Sequence, residues 1–191
     1  MADRSSIRAD AGIVSPSRLT AFLARRRVAV GFLSGVVVLW LAEPRLRSIA
    51  YGAVVASVGE AIRIWAAGHL HKSREVTSSG PYRWFAHPLY VGSGIMAVGL
   101  AIACANLVAA FYVALYVGVM LTTAARAEEA FLRLTFGDRY DRYRRGEIEV
   151  EGGEAPRRFS VSQAIANHEH RAVIGLLLAA LLLALKAASG V

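Results

Sequence analysis

Five long apolar segments, nearly free of charged residues, limit what this chain can fold into. A helix needs about 20 apolar residues to cross the hydrocarbon core of a bilayer, where it satisfies its own backbone hydrogen bonds. We therefore predict an all-α, polytopic membrane protein with five transmembrane helices. The predicted spans are approximately residues 28–42, 49–70, 88–105, 107–125 and 172–188.

The sequence outside these spans is short, so we expect no separate soluble domain. Residues 1–27 should form a cytoplasmic N-terminal segment and residues 28–191 a single membrane domain. No organelle-targeting or retention signal is recognisable in the sequence. This favours a multi-pass protein of a bacterial inner membrane.

The basic residues are distributed unevenly around the predicted spans. A run of arginines at 25–27 precedes the first span, and further basic residues follow the second span and fill the segment between the fourth and fifth. Positively charged loops stay on the cytoplasmic side, so we predict a cytoplasmic N-terminus and an external C-terminus. The net charge of +8 then belongs to loops that attract anionic lipid headgroups. We accordingly predict a bilayer as partner and no nucleic acid.

Two polar clusters flank the third and fourth predicted spans. The first is the stretch GPYRWFAHPLYVG at 80–92, in which Pro88 can occupy the first turn of the third helix. The second is the run RAEE at 126–129, at the end of the fourth. Only Ala105 and Asn106 separate the two spans, so we expect a tight antiparallel hairpin.

Helix geometry brings these two clusters to a similar depth. His87 lies about 18 residues before the turn and Glu128 about 22 after it, a difference of only about 6 Å at 1.5 Å per residue. His87, Tyr90, Glu128 and Glu129 should therefore share one layer at the cytoplasmic boundary. Taken singly, His87 is typical of a helix cap and Tyr90 of an interfacial aromatic belt. Taken together, the clusters indicate a cofactor pocket at the membrane surface.

Small residues predict how the hairpin packs. Gly92, Gly94 and Gly99 lie on the third span and Gly118 lies on the fourth. Because small residues let membrane helices approach closely, we expect these glycines to bring the third and fourth helices together.

The same motifs resemble a known family. The run TSSGPYRWFAHPLYVG at 77–92 looks like the signature of the isoprenylcysteine carboxyl methyltransferases, which are related to the membrane phospholipid methyltransferases. The runs EEAFL at 128–132 and FGDRY at 136–140, with Tyr143, resemble the second block of that family. The resemblance covers roughly residues 68–145, the expected methyltransferase core. It implies an S-adenosylmethionine-dependent integral membrane methyltransferase that acts on a lipid or lipophilic acceptor at the cytoplasmic leaflet.

Carried over by position, the resemblance implies a site for S-adenosyl-L-methionine. Aromatic faces such as Tyr82 and Tyr90 can stabilise a sulfonium cation, and a glutamate can hold an ammonium group or a ribose. Transfer of a methyl group from a sulfonium needs no metal, and we predict no metal site. The implied cofactor-binding residues are Arg74, Glu75, Val76, Thr77, Tyr82, His87, Pro88, Leu89, Tyr90 and Glu128.

The sequence departs from the family pattern at two positions. The family usually carries arginine where this chain has Ala86 and Ala124. The absence of the second arginine argues against a carboxylate acceptor of the family's kind. Arg126 points to another side of its helix, whereas Arg83 could stand in for the first missing arginine. We therefore predict Arg83 as a catalytic residue. We predict Glu129, from the second polar cluster, as the other.

Other polar residues allow more than one interpretation. Glu60 and Arg63 lie three residues apart on the second span, hence on one helix face. A structural ion pair is the favoured interpretation, and a pocket wall near the acceptor is the alternative. The segment 146–171 has no assigned role, although His168 and His170 could reach the mouth of the pocket.

Two other functions fit a membrane protein with these motifs. One is an NADPH-dependent membrane reductase of sterol-reductase-like architecture, and the other is a non-catalytic membrane subunit. Binding of S-adenosylmethionine, of NADPH or of neither distinguishes the three. Amine, hydroxyl and carboxylate acceptors stay open at this stage, as does the oligomeric state.

Overall fold

The computed structural model describes residues 18–70, 79–85, 87–137, 145 and 158–190. Helices make up nearly all of the described chain, and the prediction of an all-α protein is confirmed for these residues. The elements are α1 (Arg18–Leu41), α2 (Leu46–His69), a short 3-10 helix (Gly80–Arg83), α3 (Pro88–Cys104), α4 (Leu107–Phe136), α5 (Val161–Ala166) and α6 (Glu169–Ser189).

The chain divides into two compact units, Met1–Gly35 and Val36–Val191. In the first unit, the described residues form the N-terminal part of α1. The second unit contains the end of α1 and all the later elements. The features discussed below lie within this second unit.

Three of the described helices are long and apolar enough to cross a membrane. They are Leu46–His69, Leu107–Thr135 and Glu169–Ser189. The other two predicted spans correspond to the shorter apolar stretches Ala29–Leu41 and Pro88–Cys104. The prediction of five spans is therefore confirmed in length and composition for three of them.

The third and fourth spans form the expected hairpin. Helix α3 ends at Cys104, and Ala105 takes a left-handed conformation with φ of 49°. Asn106 then caps α4, because its side-chain oxygen accepts hydrogen bonds from the N–H groups of Val108 at 2.9 Å and Ala109 at 3.0 Å. Helix α4 continues past the predicted end at residue 125 to Phe136, so Glu128 and Glu129 lie within it.

The closest helix packing joins α2 to α3, and the prediction that the glycines join α3 to α4 is wrong. A Cβ atom added to Gly99 would lie 2.6 Å from the carbonyl oxygen of Gly52, and one on Gly59 would lie 2.6 Å from that of Gly92. Gly94 and Gly118 have no such neighbour within 4 Å. A pattern of small residues identifies a contact face but leaves the partner helix open.

The segment before α6 closes the C-terminal end of α2. The last carbonyl groups of a helix lack partners within it. Here the Asn167 side chain donates to the carbonyl oxygens of Ala67 and Leu70, both at 2.8 Å, and Gln163 Nε2 donates to Leu70 O at 2.9 Å. The Phe159 ring fills the space beside Gly68. Residues 158–167 thus have a structural role that the sequence did not reveal.

Helix α6 is held at both of its ends. Near its C-terminus, Lys186 Nζ donates to the carbonyl oxygens of Leu39 at 2.8 Å and Trp40 at 3.0 Å. These carbonyls belong to the last turn of α1, where a cation is favourable. At the other end, Glu169 contacts Arg63 of α2. The two polar contacts hold α6 to α1 near one end and to α2 at the other.

We expect substitution of Gly99 by alanine to destabilise the protein, because the new methyl group would overlap the backbone of α2. Overpacking of this kind costs about 1–3 kcal/mol. Gly94→Ala is the matched control on the same helix, since its methyl group meets open space and alanine favours a helix. Thermal unfolding in detergent measures both variants. Equal unfolding temperatures for the two would contradict the described packing.

Candidate active site

A cavity of about 350 Å³ lies at the polar end of the helices in the second unit. Its walls come from α2, the 3-10 helix, the starts of α3 and α6, and the last part of α4. The lining residues are Arg63, Leu70, Tyr82, His87, Pro88, Leu89, Tyr90, Glu128, Asn167, His168, Glu169, Arg171 and Ala172.

His87 lies between two carboxylates of α4. Its Nδ1 atom is 3.6 Å from Glu128 Oε2, and its Nε2 atom is 3.5 Å from Glu129 Oε1. The tight turn between α3 and α4 produces this contact, because it sets the start of one helix against the end of the other. The prediction that these residues share one layer of the hairpin is confirmed. Both distances are short enough for an ion pair, but they are longer than those of an ideal hydrogen bond.

The carboxylates change the protonation of His87. The contact with Glu128 is the main cause that raises the pKa of the His87 imidazole above its usual value, with a smaller contribution from Glu129. Burial acts in the opposite direction but does not outweigh the carboxylates. His87 is therefore a positively charged group over a wider pH range than a free histidine, and it can hold a proton next to the cavity.

Two tyrosines contribute aromatic surface to the cavity. Tyr90 lies in the first turn of α3 and stacks on His87, with ring centroids 5.4 Å apart and planes inclined by 30°. Tyr82 comes from the 3-10 helix. Trp84 and Phe85 belong to the same sequence motif but are largely exposed and do not line the cavity. The aromatic motif is therefore divided between the site and the outer surface.

Arg63 has a stronger partner than the sequence indicated. Its guanidinium donates to both carboxylate oxygens of Glu169, with distances of 3.0 to 3.2 Å, and also contacts Ser93 of α3. The expected neighbour Glu60 is 3.6 Å away. Both favoured and alternative interpretations hold in part, since Arg63 has an ion pair with Glu60 and also lines the cavity.

The structure brings together most of the sequence-predicted cofactor residues. Tyr82, His87, Pro88, Leu89, Tyr90 and Glu128 all line the cavity. The predicted residues Arg74, Glu75, Val76 and Thr77 lie outside the described part of the chain, as does Ala86.

The two predicted catalytic residues differ in their placement. Glu129 contacts His87 but does not itself line the cavity. Arg83 is exposed and also lies outside the lining. Arg126 is exposed, in agreement with the expectation that it points away from the site.

The sequence analysis missed most of the lining residues that follow α5. Asn167, Glu169 and Arg171 line the cavity although no motif marked them, whereas His168 was expected near its mouth. Glu169 is 106 positions from its partner Arg63. The only signal for Glu169 was its own charge at the start of an apolar helix, because such a charge needs a partner when it is buried.

Comparison with known proteins connects this site to a family. Residues 49–139 match the family described as phospholipid methyltransferase. The chain is 30% identical over 148 residues to the nickel-cobalt-cadmium resistance protein NccN of Alcaligenes xylosoxydans xylosoxydans, covering 70% of this chain and 68% of that protein.

A second relative is an enzyme. The chain is 29% identical over 91 residues to the protein-S-isoprenylcysteine O-methyltransferase of Schizosaccharomyces pombe, covering 48% of this chain and 39% of the enzyme. No solved structure matches the chain. The lining residues from Arg63 to Glu128 fall within the family match, and those from Asn167 to Ala172 fall outside it. The chain belongs to the phospholipid methyltransferase family of membrane proteins.

Proposed function

We propose that this protein is an S-adenosylmethionine-dependent methyltransferase of the membrane, acting on a lipid or lipophilic acceptor at the cytoplasmic leaflet. The observation that carries the proposal is the cluster of His87, Glu128 and Glu129 beside the cavity. This cluster lies within the segment that matches the family. It combines a proton-holding imidazole with carboxylates that can meet a cationic cofactor.

The cavity lining fits the chemistry of S-adenosyl-L-methionine. This cofactor supplies an electrophilic methyl group on a sulfonium, and it also carries an ammonium group and a ribose. Tyr82 and Tyr90 offer aromatic faces to a cation. The Glu128 carboxylate, whose side chain is 40% exposed, is accessible to accept hydrogen bonds from an ammonium or a hydroxyl group. In the proposal, Pro88, Leu89 and residues 74–77 complete the binding site.

Catalysis would depend chiefly on alignment and exclusion of water. S-adenosyl-L-methionine would supply the methyl group, and an acceptor that carries a proton would have to lose it to a group of the protein. Because Glu129 does not line the cavity, we assign it to take this proton through the imidazole of His87, whose Nε2 atom it contacts at 3.5 Å. Arg83 follows the lining residue Tyr82 and is assigned to the acceptor at the edge of the site.

An apolar cavity supports a lipophilic acceptor. Its volume is about 120 Å³, and its lining is almost entirely aliphatic. It lies between α2, α3 and α6, nearer the end of the molecule opposite the polar cluster. Its lining residues are Ile49, Gly52, Ala53, Ala56, Ser57, Gly99, Leu100, Ala103, Leu176, Leu177, Ala179, Ala180 and Leu183.

The apolar helices and the basic loops support the proposed placement in the membrane. Large apolar side chains such as Phe111, Leu115 and Leu181 are exposed on the outer faces of the apolar helices, as expected for contact with lipid tails. We propose a cytoplasmic N-terminus in a bacterial inner membrane. The polar cavity would then open at the cytoplasmic leaflet, where cofactor could enter from the cytosol.

We expect His87→Ala and Glu128→Ala each to weaken binding of S-adenosylhomocysteine by at least about 10-fold. Removing a hydrogen bond to a charged group costs about 1.5–3 kcal/mol. Arg126→Ala is the control, since this exposed residue lies on the same helix as Glu128 but not at the cavity. Isothermal titration in detergent measures the affinities. Wild-type affinity in both site variants would overturn the assignment, and binding of NADPH instead would favour a reductase.

The raised pKa of His87 predicts a pH-dependent stability. Protonated His87 is favoured in the folded protein, so its contribution to stability is complete below the unfolded pKa of about 6.5. That contribution is lost as the pH rises through the higher folded pKa. The loss of stability in Glu128→Gln should therefore be larger at pH 6 than at pH 9. Thermal unfolding across this range tests the sign, and the pH dependence should disappear when His87→Asn is also present.

A further inference from the structure

We propose that an aromatic patch formed by Trp65, Trp84 and Phe159 anchors the protein in the interface of a bilayer that contains anionic lipids. None of the three residues lines the cavity or takes part in the proposed methyl transfer. The anchor rests on the proposed placement in a membrane, but it is independent of the reaction. It gives one surface at the polar end of the molecule a partner and a depth.

The rings of the aromatic patch come from three separate parts of the chain. Trp65 lies one turn before the end of α2, Trp84 follows the 3-10 helix and Phe159 precedes α5. The ring centroids of Trp65 and Trp84 are 5.7 Å apart. The buried His69 ring connects the remaining members, since its centroid lies 6.4 Å from that of Trp65 and 6.1 Å from that of Phe159. The patch is therefore one continuous surface.

The aromatic patch is open on its outer side. Trp84 is 69% exposed, and Trp65 and Phe159 are exposed as well. A contiguous group of exposed apolar side chains marks a surface that contacts a membrane or another molecule. Tryptophan combines an apolar ring with an N–H donor, and it is enriched where hydrocarbon meets the headgroups of a bilayer. The composition of the patch thus suits the interface.

The position of Trp65 on α2 places it at a boundary of the hydrocarbon core. Val54, Val58 and Trp65 are exposed at helical spacing, so the patch continues the outer apolar face of α2. At 1.5 Å per residue, about 28 Å of helix separate Trp65 from Leu46, the first residue of α2. This length is close to the hydrocarbon thickness of about 30 Å. When Leu46 lies at one boundary, Trp65 lies at the other.

Helix α5 has a polar inner side and an apolar outer side at the same end of the molecule. Gln163 donates to the carbonyl oxygen of Leu70 at 2.9 Å on the inner side. Val161 and Ile165 lie one turn apart and are exposed. An amphipathic helix of this kind suits a position in the plane of the interface. Helix α5 therefore extends the surface that begins at Phe159.

Basic residues beside the aromatic patch favour anionic headgroups. Arg83 directly precedes Trp84, Arg158 directly precedes Phe159, and both arginines are exposed. Among the residues that the structure describes, neither arginine has a carboxylate within ion-pair distance. Basic residues at this depth are attracted to anionic lipids. A second copy of the chain docked on the same surface would instead bring together two sets of like charge, so the bilayer is the favoured partner.

The anchor also determines how deep the cavity lies, and this consequence alone rests on the proposed function. Leu70 and Tyr82 line the cavity. In the chain, Leu70 adjoins His69 and Tyr82 lies close to Trp84. With the patch at the boundary, the cavity lies at the level of the headgroups. A lipophilic acceptor could then reach the cavity without leaving the membrane.

Quenching of tryptophan fluorescence by brominated lipids tests the depth. The chain has three tryptophans, so replacing two of them by phenylalanine leaves Trp65 or Trp84 as the only one. In proteoliposomes, bromine near the headgroup end of the acyl chain should quench either residue about twofold more strongly than bromine near the chain terminus, because the two positions differ in depth.

Leu115→Trp, in a chain whose native tryptophans are all replaced by phenylalanine, is the matched control. Leu115 is also exposed, but it lies about 12 Å from the start of α4 and thus near the middle of the hydrocarbon core. Bromine near the chain terminus should quench this residue more strongly. The same order of quenching at Trp84 as at this control would overturn the anchor.

Acrylamide, a quencher dissolved in water, separates the remaining alternatives. If acrylamide quenches Trp84 strongly and neither brominated lipid does, the patch faces water and the anchor is wrong. If Trp84 is protected from all three quenchers, protein covers the patch, which also overturns the proposal. Strong quenching by the shallow bromine, with weaker quenching by acrylamide, supports it.

The headgroup preference is tested by comparing brominated phosphatidylglycerol with brominated phosphatidylcholine at equal fractions. The anionic lipid should quench Trp84 more strongly, and high salt or the double change of Arg83→Gln and Arg158→Gln should remove the difference. Arg126→Gln is the control, since Arg126 is an exposed arginine of α4 outside the patch. Equal quenching by the two lipids before these changes would overturn the anionic interface.

Binding of S-adenosylhomocysteine separates the anchor from the proposed function. The quenching measurements need neither cofactor nor turnover. A protein that fails to bind S-adenosylhomocysteine but shows the expected quenching would overturn the proposed function and support the anchor. A protein that binds S-adenosylhomocysteine while its aromatic patch faces water would overturn the anchor and leave the proposed function in place.

Discussion

Charged side chains between apolar helices are tolerated when they meet partners, and this requirement organises the polar end of the molecule. Arg63 meets Glu169, Ser93 and Glu60, so one guanidinium connects α2 to α3 and α6. His87 meets both Glu128 and Glu129. Each cluster joins parts of the chain that are distant in sequence. Four of these residues, Arg63, His87, Glu128 and Glu169, also line the cavity.

Close packing of α2 and α3 gives these charges their positions. Gly52 and Gly59 on α2 face Gly99 and Gly92 on α3 at distances that leave no room for a side chain. A cation on α2 can then reach Ser93, one residue after Gly92. The glycines thus do more than join two helices. They set the register in which the start of α3, and with it His87, lies next to the polar part of α2.

The sequence allowed prediction of those site residues whose depth follows from the number of residues along a hairpin. The depths of His87 and Glu128 followed from a two-residue turn and the rise of a helix, and the structure places the two side chains 3.6 Å apart. It did not predict the pairing of α2 with α3, because glycines on one helix are compatible with several neighbours. The Arg63–Glu169 pair was missed for a related reason. The three-residue spacing on α2 favoured Glu60 as the partner of Arg63. The separation of 106 positions between Arg63 and Glu169 gives no indication that these two residues are in contact.

The cavity lining comes from two parts of the chain, and only one of them lies in the segment that matches the family. Residues from Arg63 to Glu128 lie in the matched segment, which contains the groups that are proposed to hold the methyl donor. Residues from Asn167 to Ala172 lie beyond it but are fixed to α2 by side-chain bonds at 2.8 to 3.0 Å. A wall that is anchored in this way can change its exposed side chains, such as Arg171, while the bonds of Asn167 and Glu169 preserve its position. A substitution at such an exposed position would leave in place the groups that are proposed to hold the methyl donor.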